Sequence, residues 1–180
     1  GGEGGTGAAS LSSMKHCGLP WELGLIEVHK VLLDNGLRES VTLRVDGGLS
    51  SGEDLLKAVL LGAQEFEFGK LLLIAEGCVM ARICEKNTCP VGIATHDPKF
   101  KAKYKGDSAK IIRLLKLLAE DLQNQLSIAG LKSIGDAVGR TDLLEPNPKY
   151  ADKIIQRGLD LEALFGLELT VNDYRPLFDE

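Results

Sequence analysis

The chain has 180 residues, a length that suits one domain or one domain with an appendage. Its residues are 44% hydrophobic and 26% charged with only 6 prolines, which excludes wholesale disorder and collagen-like repetition. The net charge of −5 means that the chain lacks the excess of positive charge that non-specific nucleic-acid binding requires. The clearest apolar run, 71–75, is far below the roughly 20 residues that span a bilayer, so we expect a soluble chain.

Neither the first residues of the sequence nor its cysteines indicate an exported protein. The opening run Gly1-Gly2-Glu3-Gly4-Gly5 has no basic region and no apolar core, so we expect no signal peptide. Four cysteines are too few for a disulfide scaffold at this size. Three of them lie within about a dozen residues, an odd set that favours reduced thiolate chemistry. A cytoplasmic location is therefore the expectation.

Glycine turns separate short elements in the first half of the chain. The predicted elements are, in order, a helix at 19–33, a strand at 41–45, a helix at 53–61 capped by Ser51, and a strand at 65–68. Asn35-Gly36 ends the first helix, and Asp46-Gly47-Gly48 and Gly69 end the two strands. Strand, helix and strand in so short a stretch predict a βαβ unit with parallel strands, and thus an α/β fold.

The second half of the chain is predicted to be helical. Apolar residues at helical spacing predict a long amphipathic helix at 109–126, and 133–138 predicts one more short helix. Prolines then interrupt the pattern, so 141–180 is interpreted as a connector with one helix near 152–165.

The two glycine turns of the βαβ unit predict a phosphate site. Gly47-Gly48 and Gly69 follow adjacent parallel strands, and glycine lets backbone N–H groups approach a phosphate without a Cβ in the way. The helix N-terminus near 51–52 adds a favourable dipole, and Asp46 is placed to accept hydrogen bonds from a sugar-alcohol chain. Turn chemistry alone explains an isolated Asp-Gly-Gly, and only the second glycine turn gives the ligand interpretation equal weight.

The cysteine segment carries the sharpest chemical signal. Cys78, Cys84 and Cys89 have the spacing C-x5-C-x4-C, and Pro90 follows. Structural zinc sites favour four ligands in pairs two to four residues apart, which this segment lacks. Soft thiolates select iron–sulfur clusters, and three of them can hold a cluster of three irons.

Other interpretations of these thiols stay open at this point. Three buried structural cysteines are one, and a zinc site completed by His96 or Cys17 is another. Cys17 itself is most simply a buried small residue, and a fourth cluster ligand is the less favoured interpretation.

Several segments together resemble the FMN-binding part of glutamate synthase. The resemblance covers about 1–140 and is carried by Glu3-Gly4-Gly5-Thr6-Gly7-Ala8, Lys15-His16-Cys17-Gly18-Leu19-Pro20-Trp21-Glu22-Leu23-Gly24-Leu25, Val45-Asp46-Gly47-Gly48, Leu61-Gly62-Ala63 and 77–95. It implies the C-terminal portion of a (β/α)₈ TIM-type barrel holding FMN and a 3Fe–4S cluster. The reaction it implies is reduction of 2-iminoglutarate, formed from 2-oxoglutarate and ammonia, to L-glutamate.

The resemblance also assigns site residues. It implies a cluster held by three thiolates and a site for FMN. The turns that bind the FMN phosphate are implied to contain Gly47, Gly48, Gly69 and Lys70. Asp46 is the implied acid at the strand end, and Gly5 and Thr6 belong to the implied loop near the flavin ring. The cluster ligands are Cys78, Cys84 and Cys89. No catalytic residue is assigned, because a histidine near a helix start, such as His16, is more often a structural hydrogen-bonder.

Some positions depart from the family pattern. The family often has basic residues where Ser50 and Glu53 stand, and a small hydroxyl residue where Lys70 stands. We hypothesise that Lys70 replaces the lost positive charge at the phosphate.

The resemblance divides the chain and implies its partners. Residues 1–140 correspond to the last βα-units, the cluster loop 78–95 and the helices that follow. The partners implied are an upstream barrel half, a glutaminase domain or subunit, and an electron-donor subunit or ferredoxin, in an oligomer. The alternatives are a non-catalytic iron–sulfur or interaction module, and a barrel enzyme that binds a nucleotide without iron.

Overall fold

The computed structural model describes residue 12 and residues 16–166. Within them the chain is mainly helical and has one two-stranded parallel sheet. The strands are β1 (Arg44–Val45) and β2 (Glu65–Phe66); the α-helices are α1 (Trp21–Asp34), α2 (Gly52–Leu60), α3 (Lys70–Ala75), α4 (Pro98–Lys101), α5 (Ser108–Ile128), α6 (Ile134–Ala137), α7 (Ala151–Gln156) and α8 (Leu161–Phe165). Short 3₁₀ turns lie at Arg38–Ser40, Cys84–Lys86, Thr141–Leu143 and Pro148–Tyr150.

The predicted βαβ unit is present, with shorter strands. β1 and β2 pair in parallel, as the sequence predicted, and Val45 lies opposite Phe66. Only two residues of each predicted strand are paired with the other strand. In β1, Arg44 is exposed and Val45 is buried. The exposed Arg44 guanidinium reaches across the pair to the carboxylates of Glu65 and Glu67, at 2.6 and 3.0 Å. This small sheet sets the direction of both glycine turns.

Helix α2 connects the two strands and forms the centre of the core. Its N-terminus is closed by a capping box, in which Ser51 and Asp54 each accept from the other's backbone N–H. Ala58 and Val59 are completely buried, and α5 packs its Leu118, Leu122 and Leu126 face against this helix. The helix predicted at 53–61 is thereby confirmed within one residue at each end.

Close approach of α2 and α5 depends on a glycine. A Cβ at Gly52 would lie 2.5 Å from the backbone carbonyl carbon of Asp121, which no side chain tolerates. At this contact the Asp121 carboxylate accepts from the Gly52 N–H at 2.5 Å. Sequence reasoning predicted α5 as an amphipathic helix, and the structure extends it slightly to 108–128.

The later predictions need one correction. The single helix predicted near 152–165 is two helices, α7 and α8, because Gly158 turns the chain between them with φ of 65°. The apolar run 71–75 lies within α3. In the described part of the chain no helix is both long and apolar enough to cross a membrane. The (β/α)₈ barrel stays a prediction, since the described ranges contain two strands.

Candidate functional site

Both predicted glycine turns lie at one edge of the sheet. Asp46-Gly47-Gly48 follows β1 and Gly69 follows β2, and the strands are parallel, so the two turns leave the same carboxyl edge. Asp46 is exposed there, and Lys70 is half-buried as the first residue of α3. The five described residues predicted to bind the cofactor thus all follow the carboxyl ends of the two strands. Gly5 and Thr6, the other two, lie outside the described residues.

The three glycines of these turns meet different local constraints. A Cβ at Gly47 would lie 2.4 Å from Cδ1 of Trp21, so packing against α1 requires glycine. Gly48 has φ of 79°, which side chains rarely adopt. Gly69 has open space where a Cβ would stand. Within the described residues, the N–H groups of these three glycines donate to no protein acceptor.

Carboxylates accept from backbone N–H groups at the N-terminus of α2, where the sequence predicted a favourable dipole for a phosphate. Asp54 accepts from the backbone N–H of Ser50 and Ser51, at 3.0 and 3.2 Å, and Asp121 accepts from Gly52. Burial alone would raise the pKa of Asp54, but the donors from Ser50 and Ser51 outweigh it and lower that pKa. The N–H groups of 50–52 thus already have acceptors within the protein.

The predicted cysteine loop begins where α3 ends and is conformationally unusual. Gly77 reverses the chain with φ of 93° just before Cys78. The described residues other than glycine that have positive φ are Met80, Arg82 and Asn87, all in this loop. Such conformations cost free energy and concentrate at functional sites. The loop is thus held in a shape that its local sequence does not favour.

Cys89 is the most buried of the described cysteines. Its side chain is 7% exposed, and the Gly92 N–H donates to its backbone oxygen at 3.2 Å. Burial alone would raise the pKa of the Cys89 thiol, yet the backbone N–H groups of 91–94 outweigh burial and lower that pKa below its ordinary value. Oriented backbone N–H groups of this kind stabilise an anion. The arrangement favours a thiolate at Cys89.

The other cysteines have different surroundings. Cys78 and Cys84 are half-buried, and Cys78 Sγ accepts from the Met80 N–H at 3.4 Å. Cys17 is exposed rather than buried, because it lies in the turn before α1 and not in the core. Nowhere in the described ranges do three His, Cys, Asp or Glu side chains come close enough to hold a metal ion. The three-cysteine ligand set therefore stays a prediction from the sequence.

The loop carries side chains of the type that iron–sulfur clusters require. It offers three thiols, and the Met80 N–H donates to the sulfur of Cys78. An open cavity of about 420 Å³ adjoins it, lined by Cys84, Glu85, Asn87, Ile93, Ala94, Thr95 and His96. For FMN, the free N–H groups of the glycine turns fit a phosphate.

Sequence reasoning missed the side-chain contacts that shape this loop. Thr95 Oγ1 donates to the backbone oxygen of Asn87 at 2.7 Å, and the Asn87 side chain accepts from the His96 N–H at 2.7 Å. Asparagine tolerates positive φ better than most residues, and that was the available signal for Asn87. No local pattern marks Thr95, whose partner lies eight positions away.

The chain matches a known protein family over most of its length. The family model described as the conserved region in glutamate synthase matches residues 1–132. The chain belongs to the glutamate synthase family. It is 49% identical over 143 residues to "Ferredoxin-dependent glutamate synthase 2" of Synechocystis sp., covering 79% of this chain and 9% of that relative. Members of the family from quite different organisms match at similar levels.

Two further relatives illustrate that range. "Ferredoxin-dependent glutamate synthase" of Cyanidium caldarium is 49% identical over 172 residues, 96% of this chain and 11% of that relative. The glutamate synthase (NADPH) large chain of Bacillus subtilis is 43% identical over 162 residues, 90% of this chain and 11% of that relative. The chain thus spans about a tenth of the length of the curated relatives it matches.

Proposed function

We propose that this chain supplies the flavin- and cluster-binding part of a glutamate synthase, as the C-terminal portion of a (β/α)₈ barrel. The reaction is reduction of 2-iminoglutarate, formed from 2-oxoglutarate and ammonia, to L-glutamate. The observation that carries the proposal is the cysteine loop, whose free thiols Cys78, Cys84 and Cys89 lie within the range that the family model matches. Two parallel strands with glycine turns at one edge support the barrel assignment.

The FMN phosphate would be held by the carboxyl edge of the sheet. The N–H groups of Gly47, Gly48 and Gly69 donate to it, and Lys70 adds positive charge at the start of α3. Asp46, exposed beside these turns, accepts from the ribityl hydroxyls. Gly5 and Thr6 complete the site at the isoalloxazine ring.

The cluster would be held by Cys78, Cys84 and Cys89. Bound FMN supplies hydride chemistry, and the 3Fe–4S cluster supplies single-electron transfer. The protein's own contribution is to keep the thiols deprotonated, to keep the loop in one conformation, and to orient the phosphate end of the flavin. The backbone N–H groups near Cys89 serve the first task, since they lower the pKa of its thiol.

The remaining barrel strands and the glutaminase would come from other parts of the enzyme. Names of the relatives include both ferredoxin and NADPH as electron source, so either an electron-donor subunit or ferredoxin serves this chain. The location proposed is cytoplasmic, although the Arabidopsis thaliana relative is named as chloroplastic and mitochondrial.

Cofactor content of the full-length enzyme carrying this segment tests the proposal. We expect iron, acid-labile sulfide and FMN after anaerobic purification, and loss of iron and sulfide in Cys89→Ser. Cys17→Ser is the matched control and should retain both, because Cys17 is exposed and is not part of the loop sequence. Lys70→Ala should retain the cluster and bind FMN at least about tenfold more weakly, a loss on the order of 1.4 kcal/mol.

Each other outcome has a definite meaning. Wild-type enzyme without iron and labile sulfide contradicts the proposal, and flavin alone would then favour a barrel enzyme without a cluster. Iron and sulfide without flavin would favour a non-catalytic cluster-binding module. Unchanged FMN affinity in Lys70→Ala would remove Lys70 from the phosphate site.

A further inference from the structure

The glycine turn after β1 is held in place without hydrogen bonds. Just before it, the Glu67 N–H donates to the Val45 oxygen at 2.9 Å. Just after it, the Ser50 N–H donates to the Asp54 carboxylate at 3.0 Å. Between these two bonds, 46–49 neither donate nor accept a hydrogen bond within the part of the chain that the structure describes. Packing therefore fixes the conformation of this turn.

Two side chains supply that packing. Leu49, at the end of the turn, is 3% exposed and belongs to the core. At Gly47, the place where a Cβ would stand lies 2.4 Å from Cδ1, 2.7 Å from Cγ and 3.0 Å from Cβ of Trp21. The indole thus fills the space that a side chain of residue 47 would take. Leu49 anchors one end of the turn, and Trp21 stops Gly47 from moving toward α1.

Trp21 is itself held by its position in α1. It is the first residue of that helix, and Pro20 before it has the restricted φ of a proline, −51°. The Leu23 N–H donates to the Pro20 oxygen at 3.2 Å and closes the first turn. The indole is half-buried and packs against the core to which Leu25 and Ile26 of the same helix belong. The ring is therefore a fixed surface for the glycine turn.

The turn that Trp21 supports presents backbone donors. Gly48 is exposed and has φ of 79°, a conformation that favours glycine. Within the described residues, the N–H groups of Gly47 and Gly48 have no acceptor. Since no hydrogen bond to the protein directs these two groups, packing decides where they point. Donors that are already in place bind an anion more tightly, because less conformational entropy is lost on binding.

We propose that Trp21 is a positioning residue that holds the N–H groups of Gly47 and Gly48 in place for the phosphate of FMN. This inference rests on the proposed function. Trp21 acts through the glycine turn, so its effect on binding is confined to the phosphate end of the flavin. A tryptophan that only stabilised the fold would instead alter the whole flavin site, and this difference makes the two roles distinguishable.

Titration of the full-length enzyme carrying this segment with FMN, after its own flavin has been removed, tests the inference. Trp21→Leu keeps an apolar side chain but removes the flat ring beside Gly47, whereas Trp21→Phe keeps a ring there. We expect Trp21→Leu to bind FMN about tenfold more weakly, and Trp21→Phe to bind it within about threefold of the wild type. Glu27→Ala, at an exposed position on the same helix, is the matched control and should bind like the wild type.

Two spectra of the FMN-saturated enzyme separate the phosphate from the ring. Phosphorus NMR reports the surroundings of the phosphate, and in Trp21→Leu the resonance of bound FMN should move toward that of free FMN. Visible absorption reports the surroundings of the isoalloxazine ring and should match the wild type. Thermal unfolding of each variant measures whether the fold is intact.

The outcomes separate this inference from the proposed function. Wild-type enzyme that binds no FMN contradicts the proposed function itself. Wild-type affinity and an unmoved phosphorus resonance in Trp21→Leu overturn the role of Trp21 alone. Weaker binding with an altered ring spectrum and an unmoved phosphorus resonance also overturns that role. Loss of FMN in both Trp21 variants together with lower unfolding temperatures overturns it too, since Trp21 would then support the fold as a whole.

Discussion

His29 and Arg38 form a buried polar pair that the proposed chemistry does not use. Each is 7% exposed, and the Arg38 Nε donates to His29 Nδ1 at 2.9 Å. The guanidinium also donates to the backbone oxygens of Val41 and Gly62 and to the Gln64 side chain. Because Nδ1 is an acceptor here, the neutral imidazole carries its proton on Nε2. The pair joins α1 to the end of α2.

Stability should depend on pH through His29. Burial, with a further contribution from the positive Arg38, lowers the pKa of His29 below 6.5. Above that pH the imidazole is neutral in both the folded and the unfolded chain. Below it the unfolded chain takes up a proton that the folded chain resists, so the free energy of unfolding falls as pH drops. Urea unfolding of the 180-residue chain at several pH values between 7.5 and 5.5 measures this loss.

A variant that does not titrate isolates the contribution of His29. His29→Gln keeps a polar side chain but takes up no proton, so its stability should fall less over the same pH range. Asp54 and Asp142, whose pKa values are lowered, lose their contributions only at more acidic pH. Equal pH dependence in wild type and His29→Gln would rule out His29 as the source.

Gly47 and Gly69 differ in how tightly their surroundings are packed. An added Cβ meets Trp21 at Gly47 and open space at Gly69. Gly47→Ala should therefore lower the free energy of unfolding by about 1–3 kcal/mol, whereas Gly69→Ala should change it by less than about 0.5 kcal/mol. Denaturant unfolding of the two variants side by side checks this. If both variants lose the same free energy of unfolding, the space beside Gly69 does not accommodate a methyl group in solution.

At the scale of elements, local sequence signals account for the helices and fail at the strands. The turn at Asn35-Gly36 and the capping box at Ser51 mark the ends of α1 and α2, because capping involves residues close in sequence. Strand ends depend on pairing with a distant segment. Only two residues of β1 are paired with β2, and only two of β2 with β1, although the β-branched segment before Asp46 begins at residue 41. The split between α7 and α8 could have been predicted from Gly158.

The contact between α5 and the start of α2 gives a test at this scale. Asp121 accepts from the Gly52 N–H at 2.5 Å across 69 residues of sequence. Asp121→Ala removes that acceptor and should lower the free energy of unfolding by about 1–2 kcal/mol. Asp121→Asn, which keeps an acceptor oxygen, should lose less. Thermal or urea unfolding measures both.

The neighbouring side chain supplies the control for that variant. Glu120 is exposed on the same helix, so Glu120→Ala should change stability by less than about 0.5 kcal/mol. If Asp121→Ala unfolds at the same denaturant concentration as Glu120→Ala, the bond to Gly52 contributes nothing measurable.

At the scale of the whole molecule, spacing along the sequence predicts a site but not the contacts around it. The cysteine spacing and the two glycine turns predicted which segments carry chemistry, because those signals are short motifs. The contact of Thr95 with Asn87 and that of Asp121 with Gly52 join separated segments of the chain. Periodicity and composition carry no information about such contacts. That is also why Cys17, predicted to be buried, is exposed.

The surface of the isolated chain predicts self-association. Large apolar side chains are exposed on two helices: Val28, Val31 and Leu33 on α1, and Ile112, Leu115, Leu117 and Ile128 on α5. The two-stranded sheet adds strand edges without a partner within the described residues. Exposed apolar surface and open edges promote association at micromolar concentrations. Sedimentation velocity of the 180-residue chain at about 10 μM should therefore show species larger than a monomer.

Charges on α1 should reduce that association. Val28→Lys with Val31→Glu places opposite charges three residues apart, which the helix accommodates, and removes two of the exposed apolar side chains. Gln123→Glu on α5 is the control, since it adds one charge at a site that is already polar and exposed. We expect the double variant to sediment more slowly than wild type and the control to match wild type. A wild-type chain that stays monomeric at about 100 μM would mean that these faces need no partner.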